Sequence, residues 1–245
     1  MAHLQRLPRS LVSLLWLVAA AASMSSGYLR AHDFANSLVK VRAVAADGSQ
    51  SFGSGVVIAA DLLATACHVT RDAKTIEVAH GVKRWIAKVE AGSLAHDLCL
   101  ISVPKLDLPA VAIRASESLR PGEHVIAAGF PSGGDLAIHD GVVEGLYRFD
   151  GGQVIRTSAT FDAGASGGGL FDEEGALVGL LAFKARSGAK LHFALPADWT
   201  LPGSMVSSLL GPVATSSERS AFWERPRASQ PAFLGHAILE AASQR

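Results

Sequence analysis

Apolar and polar residues alternate with a period of two along much of the chain, and the runs are short. Leu38-Val39-Lys40-Val41-Arg42-Ala43-Val44 reads as a half-buried strand, followed by the turn signal Asp47-Gly48-Ser49. Residues 51–59 and 62–66 read as a hairpin, 75–80 and 84–90 as two more strands joined near Gly81, and 97–103 as an apolar strand. A second series follows at 123–130, 138–148, 153–157, 176–183 and 190–195, with Asp150-Gly151-Gly152 as a hairpin signal. Between the series, residues 104–121 carry Pro104, Pro109 and Pro121, which predicts a crossover with one short strand at 110–113. Many short strands at this spacing predict a barrel or sandwich. Pro196-Ala197-Asp198-Trp199 begins a short closing helix. Beyond Gly211 the strand pattern stops, and residues 201–245 read as a mostly disordered tail with a helix near 237–242.

Composition narrows the class. Of 245 residues 49% are hydrophobic, enough for a substantial core, and the 24 glycines suit an all-β chain with many tight turns. The formal net charge is zero and no basic run occurs, which argues against a nucleic-acid partner. Arg6 and Arg9 precede an apolar run at 11–22 that ends in small residues, the pattern of a secretory signal peptide. The alternative for the same run is an uncleaved membrane anchor; a spanning helix usually needs about 20 apolar residues. Either way the chain is exported, to the periplasm or beyond. Residues 23–33 read as a polar linker.

The candidate chemistry centres on Gly164-Ala165-Ser166-Gly167-Gly168-Gly169-Leu170. A nucleophilic serine needs a sharply bent backbone and nearby N–H groups aimed at the developing oxyanion, and glycines permit both. It also needs a base oriented by a carboxylate. Upstream stand Gly53-Ser54-Gly55-Val56-Val57-Ile58, Thr65-Ala66-Cys67-His68-Val69 and His96-Asp97-Leu98-Cys99-Leu100-Ile101, so the chain order is His68, Asp97, Ser166. The pattern G-x-S-x-G at 164–168 also fits the nucleophile elbow of α/β-hydrolases. That elbow enters a helix and is followed by its acid and histidine, whereas here glycines, a turn and an apolar strand follow.

These motifs resemble the trypsin-like, chymotrypsin-fold serine peptidases, and in particular their HtrA (Deg) branch. Gly129-Phe130-Pro131-Ser132-Gly133-Gly134, the strand at His139-Asp140-Gly141-Val142-Val143 and His192-Phe193-Ala194-Leu195-Pro196 support that branch. The resemblance covers residues 34–200 and implies two packed six-stranded antiparallel β-barrels, at about 34–103 and 122–197. It implies a serine endopeptidase acting on proteins or peptides with no cofactor or metal, through His68, Asp97 and Ser166, with an oxyanion hole at the N–H groups of Gly164 and Ser166. The specificity wall would be Thr160, Phe161, Leu181, Ala182 and Phe183. Thr160 falls where a carboxylate would select Arg or Lys, so a small or medium apolar residue is expected there. Asp162 is expected on the loop surface. No hydroxyl stands at Leu181 or Ala182 to hold Asp97, which leaves backbone N–H groups for that task.

In this fold the segments bearing Cys67 and Cys99 must come together, which implies a disulfide beneath His68 and Asp97. Two buried free thiols are the alternative, and two cysteines make no recognisable metal set. Ala165 stands where zymogen-activated relatives carry an aspartate, so activation by a new N-terminus is not expected. The residues after Pro196 are too few for the PDZ domain of many HtrA-type proteins. Relatives trimerise through N-terminal segments, for which residues 23–37, with Tyr28 and Phe34, are the candidates here. Phe222, Trp223 and Phe233 would dock on a partner or on the barrel itself. The competing functional reading is a catalytically silent binding or regulatory module on the same fold.

Overall fold

The computed structural model describes residues 33–187, 189–204, 206–211 and 220–243. The signal or anchor at 1–22, and the linker apart from Asp33, lie outside these residues. Within them the chain forms two closed six-stranded barrels, antiparallel throughout.

The first barrel comprises β1 (Leu38–Ala45), β2 (Gln50–Ala59), β3 (Leu62–Ala66), β4 (Ala73–His80), β5 (Lys83–Ser93) and β6 (Leu98–Ser102), in the order β1-β2-β3-β6-β5-β4. The second comprises β7 (His124–Gly129), β8 (Ala137–Phe149), β9 (Gly152–Thr157), β10 (Gly169–Phe171), β11 (Leu177–Ser187) and β12 (Ala189–Pro196), in the order β10-β11-β12-β9-β8-β7. Inward positions fill each barrel. Val39, Val41, Val57, Leu63, Val78 and Ile101 pack in the first, and Val125, Val143, Ile155, Leu170, Val178 and Leu181 in the second. A third cluster built on Leu38, Phe171, Leu177, Phe193 and Trp199 joins them.

Two sequence expectations are corrected. The strand expected at 110–113 is reduced to an isolated bridge between Ile113 and Leu177, because the prolines deny this crossover a ladder. The tail expected to be mostly disordered is packed at 220–243. Phe222 is 2% exposed, and Leu234 and Ala237 on helix α2 (Ala232–Ser243) are buried. Aromatic residues too few to show a period anchor this arm. Phe222 meets Phe149, with ring centroids 4.8 Å apart, and Phe233 stacks on Tyr147 at 5.4 Å. The buried Arg156 guanidinium in β9 holds the helix from below, donating to Ala237 O at 3.3 Å and Glu240 Oε2 at 3.2 Å. The strand pattern read from the sequence also omits β10, whose three residues are too few to show alternation. The closing helix after Pro196 is a single 3₁₀ turn, Ala197–Thr200.

Candidate active site

β3 delivers the chain into α1 (Cys67–Thr70), the single turn that carries His68. Asp97 sits just before β6 at φ +57°, a left-handed conformation that aspartate tolerates better than most residues. Backbone and side chain both tie it to α1. Asp97 O accepts from Cys67 N–H at 3.1 Å, Oδ1 accepts from His68 N–H at 2.8 Å, and Oδ2 lies 2.7 Å from His68 Nδ1. A Cys67–Cys99 disulfide closes the same two segments from beneath, with Cα atoms 4.9 Å apart. Asp97 is 1% exposed. Its donors among the described residues are the ring and backbone N–H of His68.

Burial alone would lower the pKa of His68. The charge and hydrogen bond of Asp97, with a further contribution from Glu224, outweigh it, and nearby Arg71 opposes them in part. The net result is an imidazole that holds its proton above the ordinary histidine range.

Ser166 lies on the turn between Phe161 and β10. Ala165 N–H donates to Asp162 O at 3.0 Å, and Gly168 N–H to Ala165 O at 2.8 Å. Gly167 is locked to β11 by its N–H to Leu181 O at 2.7 Å. The glycines at 164 and 167 are required here. Their φ values are +93° and +82°, and a Cβ would lie 2.2 Å from Ser132 N or 2.3 Å from Ser54 O. Ala163 O accepts from Ser132 N–H at 2.8 Å, so the planar trans peptide turns the Gly164 N–H the opposite way. Among the described residues neither Gly164 N–H nor Ser166 N–H donates to a protein acceptor, so the turn presents two free donors beside the Ser166 hydroxyl. Ser166 Oγ itself donates to Ala182 O at 3.2 Å.

Ser54 is the site residue that sequence reasoning missed, although its motif was in view. It is fully buried in β2 and reaches across to the second barrel. Its Oγ donates to Gly164 O at 2.9 Å and accepts from Phe130 N–H at 2.8 Å, while its N–H donates to Ser166 O at 2.8 Å. One residue of the first barrel thus fixes the turn bearing Ser166 in the second. The signal for it was a serine between two glycines just before the apolar run Val56–Ile58 of β2.

The proposed specificity residues divide. Leu181, Ala182 and Phe183 are buried along β11, and Phe183 stacks on Phe193 with centroids 4.8 Å apart. Phe161 is buried against the His192 ring at 4.9 Å, whereas Thr160 is exposed. Asp162 lies on the surface and pairs with Lys184 Nζ at 2.9 Å. The arm also reaches the site. Phe222 N–H donates to Ala95 O at 2.8 Å, Glu224 pairs with Arg71 at 2.8 Å, and the Trp223 ring stands edge-on to His68, centroids 5.5 Å apart.

The chain is similar to known proteins in sequence and fold. The family model for the trypsin-like peptidase domain matches residues 53–180. A Pseudomonas putida protein named "Probable periplasmic serine endoprotease DegP-like" is 35% identical over 159 residues, which is 61% of this chain and 33% of that one. The chain spans about a third of the length of the curated relatives it matches. Among solved structures, the HtrA-type protease AlgW with a tripeptide superposes with TM-score 0.64 at 28% identity, over 70% of this chain and 60% of that one. The active form of the Rv3671c protease from M. tuberculosis shares the fold, with TM-score 0.64 over 94% of this chain and 97% of its own at 23% identity.

Proposed function

This chain belongs to the trypsin-like peptidase domain family, and from that premise we propose that it is an exported serine endopeptidase working through His68, Asp97 and Ser166. The observation that carries the reading is the clamp of Asp97 on the main-chain and ring nitrogens of His68, and the turn bearing Ser166 adds two N–H donors that meet no acceptor among the described residues. Asp97 keeps the proton on Nδ1, which leaves Nε2 as the base. The Ser166 hydroxyl leaves Ala182 O, passes its proton to His68 Nε2, and Oγ bonds to the carbonyl carbon of the peptide. The carbonyl oxygen gains the electron pair and is held by Gly164 N–H and Ser166 N–H. Collapse expels the amine, which takes the proton from His68 and leaves an acyl-enzyme. Water then repeats the sequence, and the carboxylic acid departs.

The residue N-terminal to the cleaved bond (P1) is small or medium and apolar on this reading, because Leu181, Ala182 and Phe161 are apolar and Asp162 is already paired at the surface. The name of the Pseudomonas putida relative supports a periplasmic location, as does the apolar run at 11–22. The test is digestion of an unfolded protein by the purified chain, with products read by mass spectrometry. The expected result is internal cleavage after apolar residues that disappears in Ser166→Ala and His68→Ala. Intact substrate with folded wild-type protein would favour the silent binding module instead.

A further inference from the structure

The arm at 220–224 crosses the site at a defined place. Trp223 lies parallel to Phe183, with ring centroids 5.0 Å apart and planes 13° from parallel, while it meets the His68 ring at 89°. The segment is held from both barrels, by Ala95 O and Arg71 on one side and by Phe149 and Phe183 on the other. A groove of about 580 Å³ continues from there between Phe183, Lys184 and Ala185 on β11 and Trp223, Gln230 and Leu234 on the arm.

The backbone beside this groove is an open strand edge. β10 pairs with β11 only from Leu177 to Leu180, and beyond Leu181 no described strand occupies that side of β11. An extended peptide whose carbonyl is at Ser166 would add to this edge, since unpaired strand edges recruit strands. Successive side chains of an extended peptide point to opposite faces. If P1 enters the second barrel beside Leu181, the preceding side chain, P2, faces the first barrel. There it meets His68 and Trp223.

We propose that Trp223 is a specificity-determining residue: the wall, supplied by the C-terminal arm, that limits P2 to a small side chain such as Gly, Ala or Ser. The inference rests on the peptidase reading for the direction in which the peptide lies. The indole stacks on Phe183 and stands edge-on to His68, so a branched or aromatic P2 side chain would compete with it for those ring contacts.

The test uses the full chain and a peptide series that differs only at P2. Wild type should cleave the Ala peptide in preference to the Leu peptide, and Trp223→Ala should move the ratio of their kcat/KM values toward Leu by roughly ten-fold or more, the scale of discrimination by pocket size. Trp223→Leu, which keeps apolar cover over Phe183, should move it less and guards against a folding defect in the alanine variant. Equilibrium binding of the same peptides to Ser166→Ala, with and without Trp223→Ala, reads the ratio without turnover. Small-P2 preference in binding with no cleavage by wild type would keep this proposal and sink the peptidase reading. Cleavage with a ratio that Trp223→Ala leaves unchanged, or a uniform rise for every P2 residue, would overturn the proposal and leave the peptidase reading standing.

Discussion

The His68 imidazole is under two opposed influences, burial that expels its proton and carboxylates that keep it, and the carboxylates prevail. On the proposed mechanism His68 accepts a proton only when neutral. Its folded pKa is raised, so the acidic limb of the rate profile should lie above the ordinary value of about 6.5. Glu224→Gln removes one of the groups that raise it and leaves in place the charge of Arg71, which lowers it. The limb should therefore move toward lower pH, and a profile of kcat/KM for both proteins checks the sign. Any stability linked to the charged imidazole is present at low pH and is lost as pH rises through the raised pKa. Ser54→Ala makes a second test. It leaves Gly164 O and the buried Phe130 N–H without their partner, at about 1–3 kcal/mol for a group left unsatisfied. We expect a lower melting temperature and a kcat reduced more than KM is raised, because the oxyanion turn loses its brace. His68, Asp97 and Ser166 could be singled out as candidates because each sits in a local motif, and the structure brings His68 and Asp97 into hydrogen-bond contact. Ser54 was not, because its partners Phe130 and Gly164 lie 76 and 110 residues away.

Among the elements, strands announced themselves where alternation ran long enough, as in β1 and β8. β10 and the arm did not. β10 has three residues, and the arm is fixed by single aromatic anchors and by Arg156 rather than by a repeating face. Helix α2 supplies its own titration test. Burial and the hydrogen bond to Glu240 raise Tyr147 to about 12, against the opposing charge of Arg156. A phenol held protonated stabilises the docked helix below its ordinary pKa of about 10 and loses that effect as pH rises toward 12. Ultraviolet titration should show Tyr147 ionising well above 10, and Glu240→Gln should bring it down. The turn bearing Ser166 tolerates a Cβ poorly. Gly167→Ala forces a Cβ to within 2.3 Å of Ser54 O at φ +82°, and should cost about 2–4 kcal/mol in chemical denaturation.

At the scale of the whole molecule, two barrels close separately and the site is made where they meet. Ser54 holds the turn bearing Ser166 across that junction, the disulfide ties the His68 segment to the Asp97 segment within the first barrel, and the arm spans both. A cross-link between positions 32 apart restricts the unfolded chain by about 3–4 kcal/mol on the loop-closure model. Replacing both cysteines by alanine should lower the melting temperature of the chain, and the His68–Asp97 pair should loosen before the second barrel does. The all-β class was legible because strand spacing narrows it to a barrel or sandwich, and the resemblance to the trypsin-like peptidases decided for two barrels. The arm's route over the site was not, because a few aromatic contacts with sequence-distant partners decide it. The account stands most directly on whether Ser166 is an activated nucleophile in the folded protein. A fluorophosphonate probe, with the modified residue located by peptide mapping, measures this. The expected result is a single adduct on Ser166 that forms in wild type and fails in His68→Ala. Folded wild-type protein that stays unmodified, or an adduct on Ser166 that forms as fast without His68, would contradict it.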